Sequence, residues 1–194
     1  MSKNLVTNLI HKLLEKKFFL LFFILFLFCF SHNVFSAELD NLFLKLKQSK
    51  NTVLARDYEN KIWKLWLNSG SSETSNTQMK LGINLLNKGK LDQALLLFKN
   101  LSKKEPMWAE TFNKIATIKF LKGDYKNSKI NIDYTLKLEP RHFGAISGLI
   151  QINIIEKKYE KALKNLENVL KIHPFIGMKN LEPYLKQLLK KSFI

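Results

Sequence analysis

Three of the chain's four prolines, Pro106, Pro140 and Pro174, stand 34 residues apart, and this spacing constrains the fold more than any other feature of the 194-residue sequence. Each closes a lysine-bearing run of similar wording: LSKKEP, LKLEP and LKIHP. Proline lacks an amide hydrogen and its ring clashes with the preceding turn, so each one stops a helix at the same phase of the period. A fixed period of this length means units that bury their apolar faces against one another.

Other positions keep the same register. Small or slim residues recur at Ala94, Ser128 and Ala162, followed four residues later by Phe98, Ile132 and Leu166. Leu81-Gly82, Ile115-Ala116 and Leu149-Ile150 recur earlier in each unit. Turns are expected at Lys88-Gly89-Lys90, Lys122-Gly123-Asp124 and Glu156-Lys157-Lys158. Leu81, Leu85 and Leu86 are expected to share the inner face of one helix, and Ala94, Leu95, Phe98 and Leu101 that of its partner. Gly82 opposite Ala94 then lets two backbones approach while Phe98 fills the gap, and Asp124 is placed to cap the helix starting at Tyr125.

This pattern resembles the tetratricopeptide repeat, with units at 75–108, 109–142 and 143–176. The resemblance implies an all-α chain, a right-handed α-solenoid of three helix pairs, extending over 73–194 with a closing helix at 178–191. Gln78, Phe112 and Ile146 stand where the family usually has tryptophan, and Ile150 where it has a small residue, so the third pair is expected to shift slightly. In the closing helix Asn180 can cap, Pro183 is tolerated in the first turn, and Leu181, Leu185 and Leu188 form the apolar stripe. Upstream, Leu39–Gln48 and Thr52–Asn68 are amphipathic without the repeat signature. With the Ser69-Gly70-Ser71-Ser72 linker they make a helical hairpin region, 37–72, expected to cap the stack and to bury Trp63 and Trp66 against the first repeat.

The N-terminus reads as an address. Lys3, Lys12, Lys16 and Lys17 precede an apolar run from Phe18 to Phe30, and small residues follow. That arrangement predicts a secretory signal peptide over 1–36, cut between Ser36 and Ala37. A run of this length spans roughly 20 Å as a helix, short of the ~30 Å hydrocarbon core, so a cleaved leader is favoured over a stable anchor. The strings WLNSGS at 66–71 and LEPRHFGAISGL at 138–149 are similar to small exported bacterial tetratricopeptide proteins. A periplasmic location follows as the expectation, the alternative being an inner-membrane anchor facing the periplasm. Cys29 leaves with the leader, and a thiol-free remainder has nothing to mispair in an oxidising compartment.

Charge and chemistry narrow the function. The chain carries 32 basic against 16 acidic residues, a net +16; removing 1–36 leaves +13. Arg56 and Arg141 are the only arginines, which argues against specific nucleic-acid readout, since lysine is a mobile point charge. The seven glycines form no phosphate loop, no G-x-S-x-G elbow is present, and the four histidines share no metal-ligand spacing with carboxylates. No cofactor, metal, small-molecule substrate or enzymatic activity is expected.

By the resemblance, first helices line a concave groove. Its expected partner-binding residues are Met79, Ile83 and Asn87, then Asn113, Lys114, Thr117 and Phe120, then Ser147, Gln151 and Ile155. Met79, Ile83, Gly144 and Gly148 occupy the places of the family's carboxylate clamp, so the expected occupant is a neutral or mildly acidic protein segment of the cell envelope. Arg141 and His142 offer an anion contact at the groove mouth, or else Arg141 simply pairs with Glu139 while Phe143 packs between repeats. Lysines on the second helices, among them Lys99, Lys103, Lys126, Lys129, Lys161 and Lys164, are either a solvated face or a tether for anionic lipid or polysaccharide.

Overall fold

A computed structural model describes residues 16–17 and 36–191. The chain divides into two units, Met1–Asn41 and Leu42–Ile194. In the first, residues 16, 17 and 36–41 are helical; Ser36 and Ala37, the predicted cleavage pair, are exposed. The rest of the predicted leader, its apolar run included, lies outside the described residues. Among the described residues no helix is long and apolar enough to cross a membrane.

The second unit opens with helical residues 42–47 (α1) and α2, Thr52–Leu67, which starts from Asn51 as its side chain accepts the Leu54 amide. Six helices follow in pairs: α3 Glu73–Asn87 with α4 Leu91–Lys104, α5 Ala109–Leu121 with α6 Tyr125–Leu138, and α7 Phe143–Ile155 with α8 Tyr159–Ile172. Each member packs on the next in sequence, and α5 also touches α7, so the pairs stack as an α-solenoid. Among the described residues every regular element is helical.

The turns repeat as closely as the helices. Gly89, Gly123 and Lys157 all take the left-handed conformation, with φ of 70°, 73° and 58°. At each turn the next amide reaches back to a carbonyl: Lys90 to Leu85, Asp124 to Lys119 and Lys158 to Asn153, at 2.9, 2.9 and 2.7 Å. These bonds satisfy carbonyls that a helix end leaves open. Asp124 caps α6 through the Asn127 amide, as the sequence predicts.

Inside, Ala94, Ser128 and Ala162 are buried, and so are Phe98, Ile132 and Leu166. An added Cβ at Gly82 would lie 2.5 Å from the Phe98 ring, so the glycine is what admits that ring between α3 and α4. The predicted inner face of α3 is rotated, however. Leu81 is exposed, while Met79, expected in the groove, is fully buried in the core with Phe98, Leu101 and Trp108. Ser75, Met79 and Gly82 form the buried line, at offsets of four and seven. The more conspicuous leucines flank it.

The closing segment begins later than expected. Gly177–Asn180 is a short 3-10 turn, and the helix α9 runs Leu181–Lys191 with Pro183 in its first turn and Leu185 fully buried.

The hairpin before the repeats departs most from expectation. Instead of capping the stack ahead of α3, α2 runs along the joints between units as a strap. At the first joint, the Trp108 indole N–H donates to the Trp66 carbonyl at 2.6 Å. At the second, Trp66 stacks flat on His142, with centroids 4.0 Å apart, while Trp63 meets Phe143 edge-on at 5.2 Å. At the third, Glu59 bonds His173 at 3.2 Å. The aromatic edge expected to serve the first repeat thus serves the first two joints, and Glu59 of the same helix serves the third. Phe43 of α1 joins the same cluster, against Trp66 and Phe143.

Candidate functional site

Residues of α5 and α7 with the same internal spacing, offsets of zero, four and seven, face each other. Asn113, Thr117 and Phe120 oppose Gly144, Gly148 and Gln151 across a cleft of about 120 Å³, backed by Ser128 and Ile132 of α6. Four of the predicted groove residues, Asn113, Thr117, Phe120 and Gln151, therefore converge. The lining carries no charge, because α7 contains no ionisable side chain and the α5 lysines point elsewhere. The two glycines make the α7 wall low: at Gly148 a Cβ would meet only Ile132, at 3.4 Å.

The remaining predicted groove residues are arranged differently. Ile83 and Ser147 are half-buried, while Asn87 and Ile155 are exposed; none of them lines this cleft. Lys114 is drawn away from it, its Nζ 2.7 Å from Glu110 and 5.5 Å from the Trp63 ring centroid. Asn113 is 6% exposed, and its amide Nδ2 donates to Glu110 at 3.1 Å. Thr117 donates to the Asn113 carbonyl at 2.9 Å. Gln151 is thus the exposed amide of the set.

Beside the cleft lies a buried polar cluster. Glu110 is enclosed completely, with His142 Nε2 2.8 Å from Oε2 and Lys114 beside Oε1. Burial opposes its charge, yet Lys114 and His142 outweigh that cost and hold the carboxyl below its ordinary range. His142 is also the cap of α7: its Nδ1 accepts the Ala145 amide at 3.1 Å. That acceptor role places the ring proton on Nε2, so the imidazole donates to Glu110. A carboxylate–imidazole pair has the composition of an acid–base dyad, but both nitrogens are committed and neither side chain meets solvent. Its work is structural.

The anion contact expected of Arg141 and His142 is therefore corrected. His142 is sealed between Trp66 and α5. Arg141 grips Glu139 with two bonds, Nε to Oε1 at 2.9 Å and Nη2 to Oε2 at 3.0 Å, and lies over the Phe43 ring. The alternative, with Arg141 on Glu139 and Phe143 packed between repeats, is the one observed.

Three residues escaped the sequence reading: Glu110, Glu59 and Glu105. Each meets its partner across a long stretch of chain, and helical periodicity carries no such information. Glu59 pairs with His173, whose hydrogen bond holds the carboxyl below its ordinary range. Glu105 takes the hydroxyl of Ser71 at 2.6 Å and that of Ser75, tying the linker to the end of the first unit. Only Glu110 left a trace, a Glu-x-x-x-Lys spacing with Lys114 on one helix.

Stacked helix pairs with an uncharged cleft on one side define an α-solenoid of the kind that presents a surface to other molecules. No family model matches the chain. A protein of Rhizobium etli named as TPR repeat-containing is 34% identical over 136 residues, covering 70% of this chain and 66% of its own length, slightly under two thirds. With the 34-residue period and the paired helices, that similarity gives the chain the sequence and architecture of a tetratricopeptide-repeat solenoid.

Proposed function

We propose that this chain is a non-catalytic scaffold of the cell envelope that holds an extended segment of another protein in the α5–α7 cleft. One observation carries the reading: the cleft is open, uncharged, and floored by small residues, with the Gln151 amide exposed at its rim. A side chain of the partner fits over Gly148, and Gln151 has a donor and acceptors for its backbone. Export by the N-terminal segment supplies the location, supported by its basic-then-apolar order.

Asn113 is a poor probe of this site, because its amide also serves Glu110. Gly148→Leu is a better one. It places a side chain into the cleft at a helical position where a Cβ fits, and leucine favours helix over glycine. Affinity capture from envelope extract should recover a partner with the wild-type chain and lose it with Gly148→Leu and with Gln151→Ala, at unchanged helicity. Capture that survives both substitutions would move the site elsewhere.

A further inference from the structure

The flank of α5 turned away from the groove borders a second, larger hollow. Phe112, Ile115 and Lys119 of α5, Lys99, Ser102 and Lys103 of α4, and Asn127 and Asn131 of α6 enclose about 550 Å³. No carboxylate is among them. Lys119 is paired with Asp124 at 2.8 Å, but Lys99 and Lys103 have no partner among the described residues, so two ammonium groups at one rim are uncompensated.

The hydrogen-bonding capacity left over is specific. Asn127 spends its Nδ2 on Asp124, and Asn131 spends its own on the Asn127 carbonyl at 2.8 Å. Both Oδ1 atoms remain as unused acceptors, which an N–H donor satisfies and the oxygens of an ionised phosphate or sulfate do not. A ligand that satisfies the whole rim brings carboxylates for the lysines and N–H donors for the amides. It also brings an apolar group for the wall of Phe112, whose ring stacks on Tyr134 at 5.6 Å, and for Ile115. A peptide with acidic and apolar side chains has all three. We infer that the α4–α5–α6 hollow binds an acidic, extended protein segment, a second site distinct from the cleft between α5 and α7.

The test uses the full chain in a nonionic detergent and a fluorescent peptide alternating glutamate with leucine. Binding is expected at low salt, and replacing the peptide's glutamates by glutamine should abolish it. Lys99→Glu with Lys103→Glu should weaken binding by about tenfold or more. Lys161→Glu with Lys164→Glu, the same charge change on exposed α8 positions, should leave it within about twofold. Gly148→Leu should have no effect, so failure here and failure of the cleft reading are separate outcomes. Equal loss in the two charge-reversed pairs would reduce the site to nonspecific attraction. Binding of the glutamine peptide, or of polyphosphate in preference to the acidic peptide, would also overturn the inference.

Discussion

His142 donates from Nε2 to the Glu110 carboxylate across 2.8 Å, with both side chains fully enclosed. The bond joins α5, the first helix of the second unit, to the residue that caps α7, the first helix of the third. It therefore holds the stacking of two repeats and not merely the fold of one.

Because Glu110 is held below its ordinary range, the folded chain takes up this proton less readily than the unfolded chain. The stability it contributes is complete above the ordinary glutamate range and is lost as pH falls through the folded value. Glu110→Gln should cost about 1–3 kcal/mol at neutral pH, as a buried charge-assisted bond is replaced by a neutral one. The difference in melting temperature between the two proteins should shrink steadily on acidification. A constant difference down to strongly acid pH would show that the carboxylate charge contributes nothing.

Lys157 occupies the left-handed position that Gly89 and Gly123 hold in the other two units. A side chain there costs about 1–2 kcal/mol against glycine, part of which glycine returns through the greater freedom of the unfolded chain. Lys157→Gly should therefore raise stability, by about 0.5–1 kcal/mol, with the helices unchanged. Chemical denaturation of the two proteins decides it, and a lower midpoint for the glycine variant would contradict the strain.

Two glycines that look alike in sequence should respond oppositely to alanine. At Gly82 the new Cβ meets the Phe98 ring at 2.5 Å, and that ring is fully buried with no room to retreat. Overpacking of this kind costs about 1–3 kcal/mol. At Gly148 the nearest atom is 3.4 Å away, and the substitution should gain about 0.5–1 kcal/mol of helix propensity. Thermal melts of the two variants should move in opposite directions; similar losses in both would mean that the α7 wall is tighter than described.

The sequence announced the repeats because their determinants are local and periodic. A proline ends a helix by its own covalent structure, and Ala94, Ser128 and Ala162 mark close approach wherever they recur. The α5–α7 cleft was legible for the same reason, since Asn113, Thr117 and Phe120 follow one another at helical spacing. Met79 was misassigned because the resemblance placed it on the groove side and the leucines marked a different inner face, whereas Ser75, Met79 and Gly82 form the buried line. The strap was not legible at all. The spacing of Trp63 and Trp66 says that one face of α2 is buried, but its partners His142, Phe143 and His173 lie far along the chain, and no local pattern names them.

The strap makes a prediction of its own. Helix α2 is fixed by a few side chains at widely spaced joints and touches α3 and α5 over small areas only. Trp63 sits where Gly144 leaves room, since a Cβ there would lie 2.6 Å from its ring. Glu59 meets His173, which caps the end of α8 and is itself buried. Removing these two anchors should loosen the helix, which Trp66 still ties to Trp108 and His142, without dissolving the repeats, because the cores around Phe98 and Ile132 include neither residue. Hydrogen exchange on Trp63→Ala with Glu59→Ala should show protection reduced over 52–67 and kept across α3 to α8. Gly144→Ala should reproduce that loss from the opposite side of the contact, by steric exclusion instead of deletion. Protection lost evenly along the chain would mean that the strap is part of one cooperative unit with the solenoid, and that joints between repeats cannot hold without it.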